Sequence, residues 1–206
     1  ADDGVERIVR INCVRSAVGL DDVQAILATD TPPPALMLPK VVSPDEIVWL
    51  DDLLTERGHD TRLHIIIEMN AGLEAVFDIA RASSRIDALF FGGVDMSADL
   101  RCKNAWEPLL EVPYLDLDDL EGMKAQAQLA KELGFSGKGA VHPKQISALN
   151  EVFTPSPEEV AKAQKILAAF EEANTGLVVV DGKLIEKPVV REMQRIASVG
   201  KRAYLK

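Results

Sequence analysis

The chain has 206 residues, enough for one large domain or two small ones, and 47% of them are hydrophobic. Its net charge of −10 argues against a nucleic-acid partner, because binding to a phosphate backbone needs a basic face. No apolar run reaches the roughly 20 residues of a membrane span, the N-terminal residues lack a signal-peptide pattern, and the two cysteines are isolated, so we expect a cytoplasmic or organelle-matrix protein with reduced thiols.

The first half of the chain alternates between predicted strands and helices. One helix is predicted over residues 20–28, a second starts at the capping box Ser43-Pro44-Asp45-Glu46, and a third follows Asn70, a candidate N-cap. Three consecutive isoleucines in the third predicted strand are typical of a strand that is buried on both faces. The predicted strands cover residues 7–12, 35–41, 63–67 and 88–91. Repeated strand–helix units of this kind predict a parallel sheet.

The second half begins with the same alternation and then changes. Strands are predicted over residues 111–116 and 139–143, and a helix over residues 119–133 that ends at Gly134. A second capping box, Ser156-Pro157-Glu158-Glu159, opens a helix over residues 157–172.

The C-terminal residues carry a strong hairpin signal. Asp181-Gly182 between two short apolar runs predicts strands over residues 177–180 and 183–186, and a helix over residues 188–199 follows. We interpret residues 1–153 as one barrel-like domain and residues 154–206 as a C-terminal extension.

Two carboxylates stand at strand ends in the middle of the chain. Glu68 ends the isoleucine-rich strand and Asp95 follows the next one. If these strands are parallel neighbours, both carboxylates emerge at the same rim, about 5 Å apart. Mg²⁺ is typically held by one or two carboxylates and by water or substrate oxygens, so the pair is a candidate metal site. The alternative is that Glu68 caps a loop and Asp95 caps a helix.

The number of strands raises a question about completeness. Six parallel strands are predicted, whereas a closed (β/α)₈ barrel has eight strands and typically about 250 residues. The connection from Asp95 to residue 111 is also short for a crossover with its helix. We therefore expect the intact protein to have two further βα units before Ala1 and a helix between Leu110 and Glu111.

Several motifs occur together in a characteristic order. They are VRIN, MLPKV, IIIE followed by AGLEA, FFGGVD, LDLDDLEGM, LGFSGKGAVHPKQI, FTPSPEEV and DGKLIEKP. In this order they resemble the citrate lyase β-subunit-like family, also called the HpcH/HpaI or malyl-CoA lyase-like group. The resemblance covers essentially the whole chain, although the family's first two strands and most of its sixth helix are absent. It implies a (β/α)₈ TIM barrel of the phosphoenolpyruvate/pyruvate type with a C-terminal helix–hairpin–helix extension.

The resemblance also implies an activity. Family members cleave a β-hydroxyacyl-CoA, of the malyl-CoA, citramalyl-CoA or citryl-CoA type, to an acyl-CoA and a keto acid with Mg²⁺. By matching motifs, Glu68 and Asp95 are similar to the metal ligands, and Arg10 of VRIN is similar to the arginine that faces the thioester oxygen. A guanidinium is always charged and has a rigid fork of donors, so lysine would be a poor replacement for Arg10.

Further residues on the expected rim are candidate substrate contacts. Backbone N–H groups at Gly92, Gly93 and Val94 could bind a carboxylate, or the glycines could only turn the chain. Lys40 could contact a CoA phosphate or the substrate carboxylate, or it could be solvated or salt-bridged. His142 follows the last predicted strand, where a role in satisfying the rim's hydrogen bonds is favoured over substrate binding.

The hairpin departs from the family pattern at one position. Relatives commonly carry Ile-Asp-x-Pro there, and the aspartate, contributed by a neighbouring subunit, is implied to be the general acid/base. This chain has Glu186 before Lys187 and Pro188, so the carboxylate is kept but its reach is about 1.3 Å longer. The family resemblance implies a homotrimer or a hexamer; the alternative for Glu186 is an ordinary surface charge.

Two other functions stay open. One is a metal-dependent aldolase that acts on free hydroxy-keto acids, although such enzymes tend to have Gly-Pro-x-Asp at residues 92–95 and to lack the DGK hairpin. The other is a non-catalytic barrel that binds an acyl-CoA without turning it over.

Overall fold

The computed structural model of the chain describes residues 6–101, 114–173 and 176–204. The chain forms two compact units, Ala1–Val112 and Pro113–Lys206. The domain division that we predicted at residues 153 and 154 falls inside the second unit. In these three described ranges, no helix combines the length and the apolar character needed to cross a bilayer.

The first unit is a four-stranded parallel sheet whose strands lie in chain order, with helices in the connections. Its strands are β1 (Ile8–Arg10), β2 (Ala35–Leu38), β3 (Arg62–Ile67) and β4 (Ile86–Phe91). Its helices are α1 (Ala17–Ala28), α2 (Pro44–Glu56), α3 (Asn70–Glu74), α4 (Val76–Arg81) and α5 (Gly93–Asp99). The predicted parallel α/β architecture is confirmed, and the described strands form an open sheet.

Strand β3 is buried on both faces, as its isoleucine run predicted. Successive side chains of a strand point to opposite faces, and Leu63, Ile65 and Ile67 pack into the core between the sheet and the helices. On the other face, His64 and Glu68 are only 6% and 3% exposed. The remaining core side chains come largely from β2, α2 and α4, including Leu36, Leu38, Ile47, Leu50, Leu54 and Ile79.

The predicted N-cap at Asn70 is wrong. The helix starts at Asn70 itself, and the cap residue Met69 makes no side-chain cap bond. Instead, the Asn70 N–H donates to Asp99 Oδ2 at 2.7 Å, so a carboxylate from α5 satisfies the helix start. The predicted single helix is also divided at Ala75, where the backbone leaves helical geometry.

The second unit has two pairs of packed helices and a hairpin. Its elements are α6 (Leu120–Glu132), a 3₁₀ turn (Pro143–Gln145), α7 (Ile146–Phe153), α8 (Pro157–Ala173), β5 (Leu177–Val180), β6 (Lys183–Glu186) and α9 (Lys187–Tyr204). Helices α6 and α7 share one small hydrophobic cluster, and the hairpin packs with α8 and α9 around another.

Local signals in this unit are confirmed by the backbone. Asp181 and Gly182 both have positive φ, +48° and +75°, as a two-residue hairpin turn of type I′ requires. The Ser156 N–H donates to Glu159 Oε2 at 2.8 Å and the Glu159 N–H donates to Ser156 Oγ at 3.1 Å, which completes the second capping box. Gly134 has φ +97° after α6, as expected for its left-handed cap.

The predicted strand over residues 139–143 is wrong. The Val141 and His142 N–H groups donate to the side-chain oxygen of Gln145 instead of to a neighbouring strand, at 2.9 and 3.3 Å. Side-chain acceptors of this kind compete with sheet pairing. In the predicted strand over residues 111–116, residues 114–116 have no strand geometry. Residues 111–113, and the position of the helix expected between Leu110 and Glu111, lie outside the described residues.

A polar network joins the start of β4 to α2. Arg85 Nε donates to Asp51 Oδ1 at 2.6 Å, and Arg85 Nη1 donates to the carbonyls of His59 and Thr61 at 2.8 and 3.2 Å. Burial on its own raises the pKa of Asp51, but hydrogen bonds from Ser83, Arg85 and Thr55 outweigh it, so the net pKa is lowered. The network therefore stabilises the fold above the ordinary aspartate pKa, and its contribution is lost as the pH falls through the lowered pKa.

We expect Arg85→Ala to lower the free energy of unfolding by about 2–3 kcal/mol at pH 7, because it leaves a charged partner and two carbonyls without their donor. Chemical denaturation followed by circular dichroism measures this. The control is Arg57→Ala, which changes an exposed arginine and should cost less than about 0.5 kcal/mol. Equal stability of the two variants would show that the network contributes nothing.

Candidate active site

Glu68 is the buried acidic group of the site. It follows the last residue of β3, is 3% exposed, and its Oε1 accepts a hydrogen bond from the Lys40 N–H at 2.9 Å. Burial raises the pKa of Glu68, and the negative charge of Asp95 raises it further. The Lys40 N–H and the charges of Arg10 and Lys40 offset part of this effect. The charged form of the Glu68 carboxylate therefore carries an electrostatic cost at this position.

Asp95 lies in the first turn of α5, one turn beyond the end of β4. A carboxylate is favoured there because the N-terminal end of a helix carries partial positive charge. Its Oδ1 forms an ion pair with Lys40 Nζ at 3.1 Å. The alternative interpretation, in which Asp95 caps a helix, is wrong, because the N-cap of α5 is Gly92 and no side chain makes a cap bond. Asp95 lies close enough to Glu68 to raise the pKa of Glu68, as the metal-site interpretation requires.

Gly92 lets β4 approach Glu68 closely. A Cβ atom at Gly92 would lie 2.5 Å from Glu68 Cβ and 2.7 Å from Glu68 Oε2, distances that no side chain tolerates. Its N–H donates to the Ile67 carbonyl at 2.9 Å. Gly93 and the half-exposed Val94 follow in the first turn of α5, where backbone N–H groups have no intrahelical acceptor. Close packing against Glu68 therefore explains why a glycine occupies position 92, which the sequence did not suggest.

Arg10 and Lys40 border a cavity at the ends of β1 and β2. The cavity volume is about 430 Å³, and its lining residues are Arg10, Ile11, Asn12, Cys13, Ser16, Pro39 and Lys40. Asn12 is fixed by Asp22, whose Oδ2 accepts from the Asn12 N–H at 2.8 Å and from its Nδ2 at 2.9 Å. Sequence analysis missed Asn12, Cys13, Ser16 and Pro39, although Asn12 and Pro39 lie within the VRIN and MLPKV motifs and Cys13 and Ser16 follow VRIN closely.

Seven of the nine predicted positions lie in the first unit: Arg10, Lys40, Glu68, Gly92, Gly93, Val94 and Asp95. The other two side chains belong to the second unit. His142 Nδ1 accepts from the Lys144 N–H at 3.1 Å and caps the 3₁₀ turn, which agrees with the favoured hydrogen-bonding interpretation. Glu186 ends β6 and is exposed.

The carboxylate pair fits a small, hard cation. Two oxygen-donor groups of like charge raise the pKa of the buried one, and a divalent cation between them would remove that repulsion. Across residues 6–101, 114–173 and 176–204, no cluster of three or more His, Cys, Asp and Glu side chains is placed to hold a metal. A cation at this site would therefore use two carboxylates, with water or substrate oxygens as its other ligands.

The chain is similar to known proteins in sequence and in fold. Human mitochondrial citramalyl-CoA lyase is 28% identical over 94% of this chain and 68% of its own length. The crystal structure of RipC from Yersinia pestis is 36% identical, with a TM-score of 0.68 over 74% of this chain and 79% of that one. CitE from Mycobacterium tuberculosis, in complex with magnesium, acetoacetate and coenzyme A, shares the fold at 23% identity, with a TM-score of 0.64 over 94% of this chain and 77% of that one.

The family model described as HpcH/HpaI aldolase/citrate lyase matches residues 1–109. This range contains the whole four-stranded sheet, both carboxylates and Arg10, so more than half of the chain follows the family pattern. The chain belongs to the HpcH/HpaI aldolase/citrate lyase family.

Proposed function

We propose that this carbon–carbon lyase cleaves a β-hydroxyacyl-CoA of the malyl-CoA, citramalyl-CoA or citryl-CoA type to an acyl-CoA and a keto acid, with Mg²⁺ at Glu68 and Asp95. The observation that carries the proposal is the buried Glu68 carboxylate, held beside Asp95 at the rim where Arg10 and Lys40 meet a cavity. The names of the human relative and the coenzyme A complex of the tuberculosis protein support an acyl-CoA substrate.

The chain's own residues would divide the chemistry between them. Bound magnesium would supply Lewis-acid polarisation of the substrate's carboxylate and hydroxyl oxygens. During cleavage a general base would accept the hydroxyl proton, and the hydroxyl oxygen would become the carbonyl oxygen of the keto acid. The electrons of the breaking C–C bond would move onto the acyl-CoA fragment as an enolate, which is then protonated on carbon. The Arg10 guanidinium would stabilise that enolate oxygen, a contribution typically worth about 3 kcal/mol. Lys40 and the N–H groups of Gly93 and Val94 would bind the substrate's carboxylate or phosphate groups.

Glu186 would be the general acid/base: it would accept the substrate's hydroxyl proton and return a proton to the enolate carbon. The outward face of the hairpin contains Glu186 and three exposed apolar side chains, Leu177, Val179 and Leu184. Its other face packs Val180 and Ile185 into the core with α8 and α9. We infer that the outward face covers the active site of another copy in a trimer or hexamer, where apolar contacts exclude water from the enolate.

We further infer that the four-stranded sheet is part of a (β/α)₈ barrel. The parallel order of the strands supports this, because the strand ends of a TIM barrel carry the catalytic groups at one face. Residues 1–153 would belong to the barrel and residues 154–206 to the extension. A cytoplasmic location also remains our prediction.

We expect Glu68→Gln to reduce lyase turnover by at least about 100-fold, because a Lewis-acid cation contributes several kcal/mol to such a reaction. At 100 times its Kd, Mg²⁺ should stabilise the parent by about 2.7 kcal/mol and the variant hardly at all. Malyl-CoA cleavage and thermal unfolding with and without Mg²⁺ measure both effects. The control Glu74→Gln changes an exposed glutamate of α3 and should behave like the parent.

The same variant gives a pH test without metal. The folded-state pKa of Glu68 is raised by burial and by Asp95, so the metal-free parent loses stability as the pH rises through that pKa. Glu68→Gln removes this loss and should be the more stable protein in EDTA at pH 7. The two should converge below the ordinary glutamate pKa of 4.5. If Glu68→Gln is less stable than the metal-free parent at pH 7, the electrostatic cost that we assign to the charged Glu68 carboxylate is wrong.

We expect Gly92→Ala to lower the free energy of unfolding by about 1–3 kcal/mol and to weaken Mg²⁺ binding, because the added Cβ displaces Glu68. Chemical denaturation and titration calorimetry measure the two effects. Gly137→Ala is the control, since a Cβ there has no atom within 4 Å. If Gly92→Ala binds Mg²⁺ as tightly as the parent, Gly92 does not help to position Glu68 for metal binding.

We expect Glu186→Ala to lower kcat by about 100-fold or more with little change in KM, because a proton-transfer group acts mainly in the transition state. Glu186→Asp restores the usual family residue and should retain much more activity if the backbone is placed as in the relatives. Glu171→Ala, an exposed change in α8, is the control. Parental rates in both Glu186 variants, or an active monomer by light scattering, would refute this role.

A further inference from the structure

Lys40 contacts both candidate metal ligands through two different groups. Its backbone N–H donates to Glu68 Oε1 at 2.9 Å, and its side-chain Nζ pairs with Asp95 Oδ1 at 3.1 Å. We propose that Lys40 is a positioning residue that fixes the two carboxylates in the arrangement that binds the cation. This inference rests on the proposed metal site and adds to it a residue whose role there is to orient the ligands.

The backbone contact depends on an uncommon conformation. Lys40 has φ +57°, in the left-handed region that residues other than glycine seldom adopt. The chain on either side is fixed, because Leu38 and Val41 are fully buried. The Val41 carbonyl lies against α3, only 2.3 Å from where a Cβ of Gly72 would be. Packing on both sides thus holds a strained residue whose N–H meets Glu68, as is typical of functional sites.

The ion pair between Lys40 Nζ and Asp95 Oδ1 orients the Asp95 carboxylate but contributes little to stability. Lys40 and Asp95 side chains are 46% and 43% exposed, and ion pairs at such exposure stabilise a fold little. Lys40 engages Oε1 of Glu68 and Oδ1 of Asp95, so it does not occupy Oε2 or Oδ2. Glu68 Oε2 lies against Gly92, at the turn that leads to Asp95. Each carboxylate is therefore oriented through one oxygen while its second oxygen is left to a cation.

A competing electrostatic effect gives this inference a sharp test. An ammonium group near a cation site repels the cation, so a merely neighbouring or competing lysine would weaken Mg²⁺ binding, and its removal would tighten it. A positioning lysine has the opposite effect, since residues that orient metal ligands typically contribute 10–100-fold to metal affinity. The sign of the change in affinity distinguishes the two roles.

The experiment is titration calorimetry of Mg²⁺ into the full chain after EDTA treatment and its removal, at pH 7. Lys40→Met should bind Mg²⁺ about 10–100-fold more weakly than the parent. Lys40→Arg keeps a charged donor and should recover most of the affinity. Arg10→Met is the matched control, because it removes a positive charge near Glu68 without removing a contact to Asp95; it should bind Mg²⁺ at least as tightly as the parent.

Lys40→Gly tests the backbone contact separately. Glycine keeps the N–H that meets Glu68 and adopts φ +57° without strain, so this variant should unfold at a higher temperature than Lys40→Met while also binding Mg²⁺ weakly. Parental or tighter Mg²⁺ binding by Lys40→Met would overturn the positioning role and leave the proposed function intact. Absence of Mg²⁺ binding by the parent would overturn both.

Discussion

A buried carboxylate at the end of β3 is the constraint on which the site depends. Placing Glu68 out of water beside a second acidic group costs free energy, as its raised pKa indicates. Several features of the surrounding structure serve to hold it there. Gly92 makes room for its side chain, Lys40 adopts a strained backbone to donate to it, and Arg10 contributes a compensating charge. Proteins keep such a group chiefly where its charge is used.

The parallel sheet brings these groups together although they are distant in sequence. Arg10 ends β1, and Lys40, Glu68 and Asp95 follow β2, β3 and β4. Parallel pairing puts the carboxyl ends of these four strands at one edge of the sheet. The helices contribute less directly. Asp99, the last residue of α5, accepts a hydrogen bond from the Asn70 N–H at the start of α3. Helix α5, which carries Asp95, is therefore linked to the segment that follows Glu68. The spacing between Glu68 and Asp95 is therefore a property of the fold rather than of any single loop.

Sequence patterns predicted the parts of this structure that local chemistry determines. The isoleucine run specified a strand buried on both faces, and Asp181-Gly182 specified the hairpin. Predictions failed where a partner distant in sequence, or an unexpected side chain, decided the outcome. Asn70 is not a cap because Asp99 supplies the acceptor, and residues 139–143 form no strand because Gln145 takes their N–H groups. The double contact of Lys40 has no local signal, since its motif shows neither its φ nor its partners.

We propose that acyl-CoA cleavage at this site requires a divalent cation. The most direct measurement follows release of acyl-CoA and keto acid from malyl-CoA, citramalyl-CoA and citryl-CoA, with free hydroxy-keto acids in parallel, before and after EDTA treatment. We expect at least one thioester to be cleaved, the activity to disappear with EDTA, and Mg²⁺ to restore it. Cleavage that is indifferent to EDTA, turnover of the free acids alone, or thioester binding without cleavage would contradict the account.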